Sequence, residues 1–272
     1  MTVAVKEIRL PWLLRSIQGL EFPHKLGFCD RIFGRALATH GVCWAPTAAS
    51  IPWKLDLVNS THRWIVYGKY EGIGFFNWAK GFLPPDGIVV DSGANIGQVL
   101  LYLAQWVPDG QVLAFEPSEV QADWLEECVI ANKLESVEVL RLGLGSKTAN
   151  LALIEAGLSE RHGAQYFVSP DQGVPIKVVT LDEELERRGV ARVDLWKLDV
   201  EGYELEALRG AKGLFRQKAI RAVYVEMQES LQAEILEFFN DHEYRGYAID
   251  HRGELKRATQ FDNFSMGLFL PN

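Results

Sequence analysis

Apolar and polar positions follow two different patterns along the chain, and the change between them falls near residue 85. Before it, the sequence is rich in aromatic residues and irregular. After the turn "LPPDG", residues 83–87, short apolar runs typical of buried strands alternate with stretches in which apolar residues recur every three or four positions. The pattern predicts an N-terminal extension over residues 1–82 and a domain of alternating strands and helices over residues 83–272.

The runs in the second part predict a mostly parallel sheet with helices on both faces, because strands that alternate with helices pair in parallel. The predicted strands cover residues 87–91, 111–116, 137–142, 194–200, 219–227, 244–250 and 264–270. The predicted helices cover residues 95–107, 118–133, 181–189 and 231–242. The last two strands are close in sequence, with a short turn around "HRGEL", and predict an antiparallel pair at one sheet edge.

The loop "VVDSGANIG", residues 89–97, joins the first predicted strand to the first helix. Gly93 and Gly97 let the backbone approach a ligand, and the start of the helix offers unpaired N–H groups. The dinucleotide fingerprint GxGxxG is incomplete, because its second glycine is missing and Asn95 stands in this part of the loop. Asp91, two residues before Gly93, repels a pyrophosphate and suits a cation such as an ammonium group.

The second predicted strand ends at Glu116, in "AFEPS". An acid at this position can accept hydrogen bonds from the hydroxyls of a ribose. A ligand with a ribose, a cationic end and no phosphate is S-adenosylmethionine. Alternatively, Asp91 only caps the helix and Glu116 is a surface acid, but the occurrence of both acids at strand ends favours a cofactor site.

These motifs, together with "DLWKLDVEGYELEALRGA" and "VYVEMQ", resemble the FkbM family of S-adenosylmethionine-dependent methyltransferases over about residues 64–270. The resemblance implies an α/β class I methyltransferase fold, Rossmann-like, with a seven-stranded mostly parallel sheet and an antiparallel C-terminal hairpin. It also implies methyl transfer, usually to a hydroxyl of a secondary metabolite or a sugar.

The resemblance also implies which residues bind the cofactor. The family's cofactor positions correspond to Asp91, Gly93, Asn95, Gly97 and Glu116. The upstream segment "YGKYEG" adds Glu71, which we expect near the methionine end of the cofactor. The first 60 or so residues match no family that we can name, and we expect them to cap the acceptor side.

Lys197, Asp199 and Glu201 alternate along the fourth predicted strand and share one face if that strand is regular. Asp199, near the carboxyl end of the strand, is the first candidate for the base that takes the acceptor's proton, and Glu201 is the second. Lys197 belongs to this catalytic series or forms a buried structural ion pair with Asp199 or Glu226. We expect Glu204 to stabilise the start of the following helix.

A divalent metal is a further hypothesis. Glu226 ends the fifth predicted strand, next to the strand that ends with Asp199, and two such carboxylates can hold Mg²⁺. Two acids alone do not identify a site for a hard ion. The six histidines show no spacing typical of metal ligands, so we predict no other metal site.

Three other functions are open at this stage. The first is N-methylation on the same fold, which needs less assistance from a base. The second is an NAD-dependent oxidoreductase, which the incomplete glycine fingerprint and Asp91 disfavour. The third is a non-catalytic module that binds the cofactor, which the charged series from Lys197 to Glu201 disfavours.

Composition adds limits on partners and location. The chain has 272 residues and a net charge of −8, yet residues 1–80 carry ten Lys or Arg against five Asp or Glu. This part either packs on an acidic body or forms a basic rim for an acidic partner. The absence of a basic run disfavours a nucleic acid as the main partner, and the family resemblance implies a small-molecule acceptor. No apolar run reaches the roughly 18 residues of a membrane span. Scattered cysteines and no secretion signal predict a cytoplasmic location.

Overall fold

The computed structural model describes residues 5–47, 51–68, 72–159 and 163–272, without the side chains of residues 155–167. Its N-terminal part contains short helices and one antiparallel hairpin. The elements are α1 (Trp12–Ile17), α2 (Lys25–Cys29), a π-helical turn (Asp30–Gly34), α3 (Arg35–Ala38), β1 (Val42–Pro46), β2 (Pro52–Asp56), α4 (Ser60–Val66) and α5 (Ile73–Phe82).

The rest of the chain forms the central sheet, a smaller sheet and the helices that cover them. The strands are β3 (Ile88–Ser92), β4 (Gln111–Phe115), β5 (Val137–Leu140), β6 (Gly143–Leu144), β7 (Ala149–Ser159), β8 (Gly163–Ser169), β9 (Val174–Val179), β10 (Leu195–Leu198), β11 (Val223–Met227), β12 (Tyr244–Ile249), β13 (Leu255–Arg257) and β14 (Ser265–Pro271). The helices are α6 (Leu100–Leu103), continued by a 3₁₀ turn (Ala104–Trp106), α7 (Glu119–Ala131), α8 (Leu181–Arg188), α9 (Glu204–Arg209), α10 (Lys212–Arg216) and α11 (Gln232–Asp241).

The central sheet has the strand order β13–β12–β14–β11–β10–β3–β4–β5. Strands β5, β4, β3, β10 and β11 are parallel, and β14, β12 and β13 complete one side in antiparallel pairs. The predicted α/β fold class, with its antiparallel C-terminal pair, is confirmed. The expected strand number differs, because the segment between the last two predicted strands contributes the edge strand β13 in place of a simple turn.

The two faces of the central sheet are buried under different layers. Val89 packs in the core that includes the N-terminal part and α6, whereas its neighbour Val90 packs in the core under α8 to α11. All four residues of β10 are buried. A strand that is covered on both faces has apolar residues at nearly every position. The apolar runs in the sequence therefore predicted where these strands lie.

The N-terminal part shares the core of the sheet. The Trp53 side chain on β2 is fully buried, and its indole N–H donates to the carbonyl of Ile96, at 3.0 Å. Phe75 on α5 stacks on Tyr224 of β11, with ring centroids 3.9 Å apart. Residues before β3 are therefore packed into the same hydrophobic core as the strands that carry the candidate site.

A four-stranded sheet with the order β6–β9–β7–β8 lies between β5 and α8 in sequence. We predicted no element in this region. Its signal in the sequence is weak, since "LALI", residues 151–154, is a short apolar run without alternation, and Lys177 is the polar residue that separates Ile176 from Val178. One side of this sheet forms a small apolar core of its own.

The first predicted helix is much shorter than expected. Helix α6 begins only at Leu100, because Asn95 and Gly97 adopt left-handed conformations, with φ of 49° and 91°. The apolar positions are nevertheless buried as predicted, including Ile96 and Val99. Ser118 caps α7, and its side chain accepts a hydrogen bond from the Gln121 N–H. In the described part of the chain, no helix is long and apolar enough to cross a lipid bilayer.

Candidate functional site

A cleft that is open to solvent lies at the carboxyl ends of β3, β4 and β10. Loops that follow these three strands form one part of its wall, and the smaller sheet forms another. Ligands of open α/β sheets bind at this end of the strands. The cleft therefore lies where the sequence predicts the cofactor.

The loop after β3 comes very close to the chain after β10. Gly93 has a φ of 72°, and a Cβ atom at this position would lie 1.9 Å from the carbonyl oxygen of Asp199. Only glycine fits both this conformation and this contact. Gly93 therefore brings the predicted cofactor loop against the residue predicted to be the base.

The Glu116 carboxylate fixes the shape of the same loop. Its Oε2 accepts from the Asn95 backbone N–H at 2.8 Å, and its Oε1 accepts from the Ser118 backbone N–H at 2.9 Å. Burial raises the pKa of Glu116 to about 7, although both hydrogen bonds oppose this shift. Glu116 also lines the cleft, and each of its oxygens keeps a lone pair with which to accept a ligand hydroxyl.

Asp91 lies beneath the loop, and its side chain is almost completely buried. Its Oδ1 is 3.3 Å from the Nζ of Lys197. Burial raises the pKa of the Asp91 carboxyl above its ordinary value, although the Lys197 ammonium opposes the shift. Asp91 is not among the residues that line the cleft, so its contact with the cofactor stays a prediction.

Lys197 connects the predicted cofactor and catalytic residues. Its Nζ donates to the carbonyl of Gly93 at 2.9 Å and lies 3.4 Å from Oδ2 of Asp199. The ion pair with Asp199 was one of the two that the sequence suggested. Because Lys197 is buried and lines the cleft, it places a positive charge between Asp91 and Asp199.

Asp199 and Glu201 both line the cleft, but they do not continue a regular strand. Strand β10 ends at Leu198, and the chain then turns through Glu201 and Gly202, which have φ of 53° and 92°. The predicted alternation along one strand face is therefore wrong beyond Leu198. The Asp199 side chain is 35% exposed, which leaves it accessible from the cleft.

The environment of Glu201 differs from that of Asp199. Burial, together with the neighbouring carboxylates of Asp199 and Glu204, raises the pKa of Glu201 to about 7, although the Lys197 ammonium opposes the shift. A carboxyl group that titrates near neutral pH can give or take a proton there. Glu201 is thus chemically suited to the secondary role predicted from the sequence.

Glu204 is the first residue of α9, where the sequence predicted an acid at the start of the helix, and it has a further role in the preceding turn. Its Oε1 accepts from the backbone N–H groups of Val200 at 2.9 Å and Gly202 at 3.1 Å, so it stabilises the turn after β10. Glu226, near the end of β11, lies close to Glu204 and Asp199. One carboxylate oxygen each from Asp199, Glu204 and Glu226 lie within 4.8 Å of one another.

Some of the residues predicted for the site do not line the cleft in the described part of the chain. Glu71 lies outside the described residues, and the described part of residues 1–82 contributes no lining residue. The expected acceptor-side cap therefore stays a prediction. Gly97 does not line the cleft but meets Leu101 and Leu125, where a Cβ atom would lie 2.9 and 2.8 Å from their side chains.

Sequence reasoning missed several residues that line the cleft. Tyr203 follows the turn after β10, and Leu153, Val168 and Val178 come from the smaller sheet. Leu153 belongs to the short apolar run of residues 151–154, and Val178 is separated from Ile176 by a lysine, which are the weak signals that could have revealed this sheet. No pattern in the sequence shows that the smaller sheet folds over the ends of β4 and β10.

Comparison with known proteins identifies a family pattern in this part of the chain. Residues 91–246, more than half of the chain, match the family model described as the methyltransferase FkbM domain.

Three curated relatives are similar to the chain. Methyltransferase 1 of Beauveria bassiana (strain ARSEF 2860) is 29% identical, and the match covers 47% of this chain and 59% of that protein. Methyltransferase sdnD of Sordaria araneosa is 31% identical, with 47% and 61% covered. Hexuronic acid methyltransferase AglP of Haloferax volcanii is 29% identical, with 46% and 50% covered. The chain thus spans between half and about three fifths of the length of these relatives.

Proposed function

The chain belongs to the FkbM methyltransferase family, and from this premise we propose that it uses S-adenosylmethionine to methylate a hydroxyl group of a small molecule. The observation that carries the proposal is the position of Asp199. Its carboxylate stands at the end of β10, accessible from the cleft and beside the buried Lys197 ammonium. A carboxylate at the wall of a ligand cleft can take the proton of an acceptor hydroxyl.

The residues of the cleft suit this cofactor. Gly93 lets the loop backbone run close to the chain after β10, and Glu116 offers carboxylate oxygens to the hydroxyls of a ribose. Leu142 and Leu144 give an apolar wall next to Glu116 for a flat base. When bound, the cofactor supplies a methyl group on a positively charged sulfur, and the acidic residues of the cleft favour that charge.

Asp199 acts on the acceptor. It would take up the proton that the acceptor hydroxyl loses, while the bound cofactor would supply the methyl group that replaces this proton on the oxygen. Lys197 orients the Asp199 carboxylate through their ion pair. Gly93 allows the loop after β3 to approach the backbone of Asp199 closely. Orientation of the reacting groups in this way contributes a large part of the rate of a displacement reaction.

The acceptor class is proposed from the chemistry of the cleft and from one relative. The name of the Haloferax volcanii protein, a hexuronic acid methyltransferase, supports a polyhydroxylated acceptor of the sugar type. The apolar side chains of Leu153, Val168 and Val178 on the smaller sheet would suit an acceptor with apolar surface. Sugar acids and hydroxylated secondary metabolites are therefore the two groups of acceptors to screen.

Asp199→Asn tests the proposed base. With an acceptor found in the screen, we expect kcat to fall about 10²- to 10⁴-fold, as for loss of a general base. Asp241→Asn, at an exposed position on α11, is the matched control and keeps the wild-type rate. A large loss at every pH indicates a hydroxyl acceptor. A small loss that vanishes at alkaline pH would contradict it and indicate an amine, the alternative acceptor.

A further inference from the structure

The carboxylates of Asp199, Glu204 and Glu226 form a cluster at the carboxyl ends of β10 and β11. One oxygen from each lies within 4.8 Å of the other two. Asp199 is accessible from the cleft, Glu226 is half-buried and Glu204 is fully buried. Three acids so close together repel one another unless protons or a cation compensate their charge.

Glu204, a member of the cluster, has one carboxylate oxygen without a hydrogen-bond partner among the described residues. Glu204 Oε1 accepts two backbone N–H groups, whereas Glu204 Oε2 is buried and makes no hydrogen bond in the described structure. An ionised carboxylate oxygen that is buried without a partner is costly. A metal ion between the three carboxylates would give this oxygen the positive partner that it lacks.

The partners of the other two acids do not compensate the negative charge of the cluster. Glu226 Oε2 accepts from the Nε2 of Gln228 at 2.8 Å, which is a neutral partner. Asp199 is paired with Lys197, whose ammonium also lies 3.3 Å from Asp91. Since Asp91 and Asp199 share that ammonium, the charges of Glu204 and Glu226 are not balanced by it.

We propose that Asp199, Glu204 and Glu226 bind a hard divalent cation such as Mg²⁺, Mn²⁺ or Ca²⁺. Carboxylate oxygens are the preferred ligands of these ions. Oxygens on opposite sides of one such ion are about 4 to 5 Å apart, because each lies about 2.0 to 2.6 Å from it. The observed spread of the three oxygens fits one coordination shell, and waters or a substrate oxygen complete it.

The role of the cation rests on the proposed function. Asp199 connects the cluster to the cleft, so an acceptor hydroxyl beside Asp199 can become a further ligand of the ion. A bound cation lowers the pKa of a hydroxyl that coordinates it and so eases the loss of its proton. The structure thus adds Glu204 to the pair of acids that the sequence suggested as ligands.

Titration of the chelator-treated full chain with MnCl₂, followed by electron paramagnetic resonance of free Mn²⁺, tests the site. We expect one bound Mn²⁺ per chain, displaced by excess Mg²⁺ or Ca²⁺. Glu204→Gln and Glu226→Gln should each weaken Mn²⁺ binding at least about tenfold. Glu237→Gln, at an exposed position on α11, is the control and binds as the wild type does. No binding by the wild type, or equal binding by Glu204→Gln, would overturn the proposal.

Thermal unfolding separates loss of the site from loss of the fold. Glutamine at position 204 keeps an oxygen for the two backbone N–H groups, so in EDTA the Tm of Glu204→Gln should equal or exceed that of the wild type. Saturating Mn²⁺, at about 100 times its Kd, should raise the wild-type Tm by about 5 to 10 °C and leave that of Glu204→Gln almost unchanged. An equal rise in both proteins contradicts the site.

Titration with S-adenosylhomocysteine in EDTA keeps this inference distinct from the proposed function. Binding of S-adenosylhomocysteine without any binding of Mn²⁺ contradicts the cation site and leaves the methyltransferase proposal standing. Binding of Mn²⁺ without binding of S-adenosylhomocysteine supports the cation site and contradicts the proposed function.

Discussion

Glu116 illustrates how one side chain serves both the local fold and the proposed ligand. It holds the backbone of Asn95 and Ser118 together and still faces the cleft. Its position at the end of a strand was evident from the sequence. Its backbone partners were not, because the hydrogen bond to Asn95 links positions 21 residues apart.

The raised pKa of Glu116 predicts a pH dependence of stability. Its pKa is about 7 in the folded chain against 4.5 for the free group, so between these values the folded state binds more protons than the unfolded state. This group therefore lowers the free energy of unfolding as pH rises from about 4.5 to about 7.

Glu116→Gln removes this contribution. Relative to the wild type, the variant should gain about 2 to 3 kcal/mol in the free energy of unfolding between pH 5 and pH 8. Urea unfolding of the ligand-free proteins at both pH values measures it. Any constant effect of the lost hydrogen bond cancels in this comparison. A difference between the two proteins that does not change with pH would contradict the raised pKa.

Gly93→Ala tests the contact between the cofactor loop and the chain after β10. Gly189 is the matched control, because it also has a left-handed φ, of 68°, but a Cβ atom added there would meet no other atom within 4 Å. Gly189→Ala should therefore cost only the conformational strain, about 1 to 2 kcal/mol. Gly93→Ala should cost clearly more in urea unfolding and abolish binding of S-adenosylhomocysteine. An equal loss in the free energy of unfolding at the two positions would show that the close contact between Gly93 and Asp199 does not affect stability.

At the scale of elements, β3 and β10 are joined by a buried ion pair. Lys197 and Asp91 face each other in the parallel register of these strands. The sequence indicated both strands from their apolar runs, and it indicated a buried ion pair for Lys197. It could not indicate Asp91 as a partner, since β3 and β10 lie far apart in the sequence and their pairing is set by the whole sheet.

Lys197→Met should cost about 3 to 5 kcal/mol in the free energy of unfolding, because it leaves Asp91 buried without its cation. Asp91→Asn in the same chain should recover a large part of that loss. Urea unfolding of the wild type, both single variants and the double variant gives the coupling energy. Additive effects of the two substitutions would contradict a stabilising pair.

The turn after β10 and the smaller sheet show where prediction of elements failed. The sequence pattern of residues 194–200 predicts one strand that continues through Val200. The strand ends at Leu198, because Glu201 and Gly202 adopt left-handed conformations. The side chain that stabilises this turn, Glu204, looks from the sequence like an ordinary first residue of a helix. Such local conformations depend on partners that residue patterns do not reveal.

At the scale of the whole molecule, the mostly parallel sheet with its antiparallel C-terminal pair follows from the alternation of strands and helices together with the family resemblance. The packing of residues before β3 does not follow from either. Trp53 and Phe75 pack into the core beneath the sheet, and Trp53 also donates a hydrogen bond to Ile96 in the predicted cofactor loop. The N-terminal part is therefore expected to support both folding and cofactor binding.

Trp53→Ala tests this role. We expect a loss of about 3 to 5 kcal/mol in the free energy of unfolding, because a large buried side chain is removed. Trp12→Ala makes the same chemical change at a position that is 73% exposed and should change stability by less than about 0.5 kcal/mol. Urea unfolding compares the two. A small effect of Trp53→Ala would show that residues before β3 fold separately from the sheet.

The most direct test of the account is calorimetric titration of the full chain with S-adenosylhomocysteine, with NAD as the control ligand. We predict binding of S-adenosylhomocysteine at micromolar strength, no binding of NAD, and loss of binding in Glu116→Ala. Absence of binding by S-adenosylhomocysteine, or a preference for NAD, would contradict the assignment of this cleft to a methyl donor.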